Sequence, residues 1–210
     1  MAGQWSPPVS DGSGRDRTGL RRALALFDQA GYELKGTELV HHASGQAFAF
    51  EILTTTRDQE RLALTFVRNL KRAGINAQVR SVDATQFERR RIGFDFDMMQ
   101  YRWEQSLSPG NEQYFYWGSQ AADQQGSRNY MGVKSPAIDA MIGAMLSANN
   151  RDDFVAATRA LDRILLSGFY VVPLYFPPKQ WVARWTRIEH PSTTSLFGYL
   201  PETWWQRDAK

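Results

Sequence analysis

No cysteine occurs among the 210 residues. Disulfide scaffolds, Cys-ligated zinc, iron–sulfur clusters and thiol catalysis are therefore excluded, while the compartment stays open, because such a chain suits oxidising and reducing spaces alike. Histidine is scarce as well, with 3 in all. His41 and His42 are adjacent, so on a strand they point to opposite faces, and His190 is remote, which leaves little to hold a metal. No apolar run approaches the roughly 18 residues of a membrane span. The start, Met1-Ala2-Gly3-Gln4-Trp5-Ser6-Pro7-Pro8, lacks the basic stretch, apolar core and cleavage site of a secretory signal. The chain is then cytosolic or a processed or truncated piece of something longer. One-sided charge is also missing: 25 Lys and Arg against 22 Asp and Glu leave +3, a weak field for holding a polyanion.

What the chain has in surplus is aromatic residues, 7 Trp, 8 Tyr and 12 Phe, in an otherwise ordinary globular composition of 42% hydrophobic and 22% charged residues. The length allows one large domain or two small ones. Tyr101, Trp103, Tyr114, Tyr116, Trp117 and Tyr130 cluster in polar surroundings, which points to a binding surface.

Residues 1–19 are rich in Pro, Gly, Ser and Asp and form an irregular lead-in. From Leu20, the spacing of Leu20, Ala23, Leu24, Phe27 and Ala30 predicts a short amphipathic helix ending at Gly31. A strand over 47–55, a helix over about 58–73 stopped by Gly74 and a strand through Ile75, Ala77 and Val79 follow. Asp83 with Gln86 marks the capping-box start of a helix through Arg91, and Phe94, Phe96 and Met98 alternate as a third strand. Strand, helix, strand, helix, strand over 47–101 is the signature of a compact α/β unit. Ligands of such sheets sit outside the carboxyl ends of the strands, and the third strand runs directly into Tyr101–Glu112, the first candidate site. Beyond lie the aromatic segment 114–117 and a polar loop, 118–134. Ser135 and Pro136 open a helix with Ile138, Met141, Ile142 and Met145 inward, and another helix spans about 151–167. The run Phe169–Phe176 predicts a strand that Pro173 confines to an edge or interrupts. The tail 177–210 has four Trp and no clear periodicity, so it needs an apolar neighbour.

Serines such as Ser106 and Ser108 have no histidine at a nucleophile's spacing. Asp11-Gly12-Ser13-Gly14-Arg15 lacks both the preceding strand and the Lys-Ser/Thr of a phosphate loop. Glu104 and Glu112 could form a glycosidase-like carboxylate pair beside tryptophan, although a chain with 22 acidic residues supplies such pairs by chance. Arg89-Arg90-Arg91, bracketed by Phe87 and Ile92, is expected to be the solvated side of an amphipathic helix.

The order of segments resembles the C-terminal part of the periplasmic oligopeptide/dipeptide-type solute-binding proteins of ABC transporters. The cues are Ala23-Leu24 to Ala30-Gly31-Tyr32, Leu70-Lys71-Arg72-Ala73-Gly74-Ile75, Phe94-Asp95-Phe96-Asp97 leading to Trp103, Ser135-Pro136-Ala137-Ile138-Asp139 and Val172-Pro173-Leu174-Tyr175-Phe176. Ser106–Gln113, Trp117-Gly118-Ser119, Gly126–Tyr130 and Pro201-Glu202-Thr203-Trp204-Trp205 look like the subgroup named for the Yej oligopeptide and microcin uptake system.

The resemblance implies an α/β fold: the C-terminal lobe of a two-lobed, type II periplasmic binding protein, with a mixed sheet flanked by helices. It implies a lead-in over 1–19, a ligand-binding lobe over 20–176 and a segment, 177–210, that packs on a missing N-terminal lobe. The expected function is capture of oligopeptides or peptide-like solutes, without cofactor or catalysis, for an ABC permease in the inner membrane. The expected location is the periplasm, with the signal peptide on the missing part. Trp103, Glu104, Gln105, Ser106, Asn111, Glu112, Arg128, Asn129 and Tyr130 are the expected cleft residues. Many peptide-binding members carry an acid shortly after the matching tryptophan to meet the ligand's ammonium. Here that position is Ser106, so that the amine falls to Glu104 or Glu112 or its recognition is lost. A stand-alone peptide- or carbohydrate-binding module and a glycosidase-like enzyme are the alternatives.

Overall fold

A computed structural model describes residues 8–9, 12, 14, 16–103, 108–174 and 180–207. Contacts divide the chain into two units, Met1–Tyr170 and Val171–Lys210.

The first unit opens with helix α1 (Arg17–Gln29), whose N-cap Asp16 accepts the N–H of Gly19. Its stripe of Leu20, Leu24 and Phe27 packs on a cluster built around buried Leu39, Ala73, Ile75 and Ala77. A hairpin follows, β1 (Tyr32–Lys35) antiparallel to β2 (Glu38–His41). Its strands, four residues each, are too short for alternation to predict the hairpin. Gly36, at φ 63°, turns the chain within two residues, as a Gly-first hairpin turn requires.

Then come β3 (Ala49–Thr54), α2 (Arg57–Lys71), β4 (Asn76–Ser81), α3 (Ala84–Ile92) and β5 (Met98–Met99). The sheet order is β4-β3-β5, and both pairings are parallel, with Ile52 opposite Val79 on one side and Met98 on the other. A single antiparallel bridge, Val40 to Ala47, joins the hairpin to the approach to β3. Ile52 and Leu53 are buried, as suits a strand covered on both faces. Helix α2 begins with a full capping box between Thr56 and Gln59. The turn that follows it ends at Gly74, whose φ is 80° and where an added Cβ would lie 2.8 Å from the Leu39 backbone nitrogen.

The third strand is shorter than its alternating pattern predicts. Phe94 sits at φ 55°, a conformation that interrupts an extended chain, and Asp97 uses its carboxylate to accept the Glu51 N–H at 2.9 Å. A side chain thereby takes the place of a ladder bond, and regular pairing starts only at Met98.

The chain next forms α4 (Glu112–Trp117), a 3-10 turn (Ser119–Asp123), α5 (Pro136–Leu146) and α6 (Arg151–Ser167). Ser135 caps α5 with Pro136 in the first turn, and Asn150 caps α6 by accepting the Asp153 N–H at 2.9 Å. Ile138, Ile142 and Leu161 interlock with Tyr116, Trp117 and Val133 in a second core cluster. Each fully buried aliphatic side chain there contributes roughly 1.5–3 kcal/mol. The strand expected from Phe169 does not form over 169–174, the described part of that run. Phe169 is at φ 53°, and Pro173 cannot donate to a ladder.

The second unit carries a two-stranded pair, β6 (Ile188–Glu189) antiparallel to β7 (Trp205–Gln206), with an Arg207–Glu189 ion pair across it. His190, Tyr199 and Trp204 pack their rings together at 5.2–6.0 Å between centroids. Trp181, Trp185 and Phe197 remain exposed, at 98%, 72% and 66%. Among the described residues, no helix is long and apolar enough to cross a membrane.

Candidate functional site

Three parallel strands place their carboxyl ends along one edge of the sheet, and there the following segments diverge and leave a crevice. Gln59 comes from α2 after β3, and Phe87, Glu88 and Arg91 from α3 after β4. With Gln100, Tyr101 and Arg102 after β5 and Arg128 from the later loop, they line a cleft of about 360 Å³.

Aromatic rings run from this cleft into the core. Tyr130 lies between Phe94 and Phe96, each 6.4 Å away, and Tyr101, 4.7 Å away. Tyr101 meets Trp103 edge-on at 5.1 Å, and Trp103 stacks on buried Trp117 at 5.8 Å and 15°. Edge-to-face and offset contacts of this kind add about 0.5–1.5 kcal/mol per pair beyond area burial. The Trp103 indole Nε1 is buried and meets no acceptor among the described residues.

Two guanidiniums flank the row. Arg91 bonds to Glu88 and to the Tyr130 hydroxyl, with its charge 5.6 Å from the Tyr130 ring. Arg128 donates to the Tyr116 hydroxyl at 3.1 Å and lies 5.7 Å over that ring. Burial, then the hydrogen bond and charge of Tyr101, push the Tyr130 phenol up to about 12, against the pull of Arg91. The phenol is neutral at physiological pH and acts there as a hydrogen-bonding group.

The expected site residues divide sharply. Arg128 lines the cleft, Tyr130 packs on Tyr101 beside it, and Trp103 packs on Trp117 against the core cluster. Glu104, Gln105 and Ser106 lie outside the described residues. Asn111 is exposed at the start of α4. Glu112 accepts the Gly110 N–H at 2.8 Å and the Gln113 amide at 3.2 Å, and the Gly110 bond holds its carboxyl below the usual carboxylate range. Such a group stays ionised near neutral pH, the opposite of what a glycosidase's general acid needs. Asn129 has another task. It is 0% exposed, donates to the carbonyls of Gly118 and Val133, and accepts the Val133 N–H at 2.8 Å. With both amide hydrogens used inside the loop, it braces the loop rather than meeting a ligand.

The arginine run also departs from expectation. Arg90 is tied to Glu51 at 2.9 Å and Asp95 at 3.1 Å, its side chain only 17% exposed, and Arg91 is similarly enclosed at 20%. The signal was in the spacing: Arg91 lies four residues after buried Phe87, hence on the same helical face. Gln59, Phe87, Glu88, Arg91 and Gln100 line the cleft without a signal that marks them as site residues in the sequence, whereas Tyr101 and Arg102 open the candidate segment Tyr101–Glu112.

The model of the bacterial extracellular solute-binding proteins, family 5 Middle, matches residues 1–125. A Brucella suis protein designated a binding protein is 53% identical over 205 residues, covering 98% of this chain and 33% of its own length. YejA of Agrobacterium fabrum, designated a peptide-binding protein, is 42% identical over 207 residues, covering 98% of this chain and 34% of its own length. The chain thus spans about a third of the length of the curated relatives it matches. Among solved structures, the oligopeptide-binding protein AppA of Bacillus subtilis, in complex with a nonapeptide, superposes with a TM-score of 0.70 at 20% identity. That match covers 90% of this chain and 37% of AppA, and it shows a type II periplasmic-binding-protein fold. By the family match and its extent, the chain belongs to the bacterial extracellular solute-binding proteins of family 5.

Proposed function

We propose that the chain is the ligand-capturing lobe of a substrate-binding component that takes up oligopeptides or peptide-like solutes outside the inner membrane and delivers them to an ABC permease. The observation that carries this reading is the cleft at the carboxyl edge of the parallel sheet, lined by Tyr101 and Arg128, with the Tyr130 and Trp103 rings packed on Tyr101. Aromatic faces cover side chains of varied shape, and polar groups meet backbone carbonyls or termini. The peptide-binding designation of the Agrobacterium relative and the nonapeptide in AppA support the same class of ligand. Residues 177–210 fit this picture as a segment that packs on the N-terminal lobe of a longer protein, a reading that the exposure of Trp181 and Trp185 supports. Such a protein works by closing over its ligand, with no bond made or broken.

The test is mass spectrometry of ligands that co-purify with, or are retained from a defined peptide pool by, the intact natural protein. Retention of peptides with a saturable calorimetric signal is the expected result. Retention of oligosaccharides with no peptide, or turnover of a bound glycoside, overturns the reading.

A further inference from the structure

The net charge of +3 conceals how unevenly the charge is laid out. Helices α1 and α2 with their caps, residues 16–29 and 56–72, carry eight Lys and Arg against four Asp and Glu, while the rest of the chain has 17 against 18. Arg72, at the end of α2, donates to the Gly14 carbonyl at 2.8 Å, which sets the start of α1 beside the end of α2. Arg17 and Arg21 of one helix thus share a corner of the lobe with Arg68, Lys71 and Arg72 of the other, and all five are exposed. Arg68 bonds to the Thr65 hydroxyl, and among the described residues no carboxylate lies within ion-pair distance of any of the five.

Folding gives no reason for this arrangement. The cations at the end of α2 complement its macrodipole, but α1 has Arg17, Arg21 and Arg22 in its first half and no basic residue in its last turn, the reverse of the favourable order. Asp16, which precedes them, has its carboxylate committed to the Gly19 N–H at 2.7 Å. Setting that end of α1 against the C-terminal cations of α2 adds like-charge repulsion. The same helical faces also carry apolar side chains. Leu26 lies four residues after Arg22 and is 54% exposed; Leu64 lies three after Arg61 and four before Arg68 and is 44% exposed. Long cations interspersed with exposed leucines, and no exposed aromatic ring in either helix for a base to stack on, make a surface suited to lipid headgroups rather than to nucleic acid.

We infer that this corner of the lobe docks on anionic phospholipid headgroups, with the cations meeting phosphates and the two leucines entering the headgroup boundary. Guanidiniums match phosphate oxygens with paired charge-assisted bonds. The surface is separate from the cleft: α2 turns its first residues, with Gln59, toward the cleft, and its basic end lies about 22 Å along the helix from there. A docked lobe therefore keeps its cleft unobstructed. The consequence is spatial, since a carrier resting on the bilayer searches for its permease in two dimensions instead of three. Of the proposed function the inference uses only the location outside the inner membrane, so it can fail with peptide capture intact.

The test is co-sedimentation of the intact natural protein, without peptide, with vesicles of phosphatidylcholine alone or with about 30% phosphatidylglycerol. In low salt, binding to the anionic vesicles exceeds binding to the neutral ones by about fivefold or more, and added salt releases the protein. Arg17→Gln, Arg21→Gln and Lys71→Gln in one chain lower that binding by about fivefold and leave Tm unchanged or raised. Arg151→Gln, Arg159→Gln and Arg163→Gln, which remove the same charge from α6, lower it by less than about twofold. Leu26→Gln with Leu64→Gln lowers it by about twofold or more at constant charge. No preference for the anionic vesicles, or equal losses in the two charge variants, overturns the inference. A lowered Tm in the first variant also overturns it, because the cations then serve the fold. Stronger retention by poly-glutamate or single-stranded DNA than by the vesicles at equal charge, or binding unchanged in the leucine variant, overturns the bilayer as the occupant.

Discussion

On the α/β side of the cleft, Arg90 and Arg91 are held by carboxylates that are themselves partly exposed: Glu51 at 30%, Glu88 at 53% and Asp95 at 75%. On the other side, Arg128 is exposed, but the residues that hold it in place, Tyr116, Ser127 and Asn129, are buried. Charges stiffen one rim and neutral hydrogen bonds in a closed loop stiffen the other. Exposed ion pairs are screened by salt and by water, while buried neutral bonds are not. The side whose cation has no carboxylate partner among the described residues is therefore the one whose support is insensitive to ionic strength.

Asn129→Ala should produce the largest effect. It leaves the Gly118 carbonyl, the Val133 carbonyl and the Val133 N–H without their side-chain partner. At about 1–3 kcal/mol for each buried unsatisfied group, the loss in urea unfolding is on the order of 3–5 kcal/mol. A loss below about 1 kcal/mol breaks the contrast between the rims. Gly74→Ala acts on the α/β side away from any charge. The left-handed backbone and a Cβ placed 2.5 Å from Leu34 Cδ1 and 2.8 Å from the Leu39 nitrogen make a cost of about 2–3 kcal/mol the expected result of thermal unfolding.

Glu51→Gln removes the 2.9 Å pair with Arg90 and should cost about 1 kcal/mol in low salt, shrinking as salt is added. A cost independent of salt would erase the distinction. Tyr130→Phe is read by phenolate absorbance. The folded phenol lies at about 12, above its ordinary value of 10.0, so the fold favours the protonated form; that contribution is complete below 10 and is lost as pH rises through 12. The substitution should delete one tyrosine from the late step of the titration and leave the earlier steps in place. Arg128→Gln has the smallest expected effect on stability, within about 0.5 kcal/mol, because the exposed guanidinium is carried by the loop and does not support it.

The repeating parts of the fold were legible because periodicity and caps agree. Helix α6 runs over the residues its spacing predicts, and α2 and α5 start at the Thr and Ser caps that precede their apolar stripes. The hairpin β1–β2 escaped because its strands are four residues long and its turn, Gly36-Thr37, carries only one punctuating residue. The strand at Phe94 was overstated because alternation cannot register a left-handed residue or a carboxylate that replaces a ladder bond. The site was legible in location, since the chain after the third strand does lead to the cleft. It was less legible by residue: Asn129 has the composition of a recognition group and the burial of a structural one, and only three-dimensional closure of the 118–134 loop tells them apart.

The Trp103–Trp117 stack has an optical consequence. Two indoles 5.8 Å apart and within 15° of parallel lie close enough for their near-ultraviolet transitions to couple, and the circular dichroism that results is set by the angle between the transition moments lying in the two ring planes. One ring is locked in the core and the other adjoins the cleft through Tyr101. Any ligand that tilts Trp103 by a few degrees changes the coupling while Trp117 stays still. A change in that band on adding a ligand is the expected sign that Trp103 has moved, read without a dye or a label.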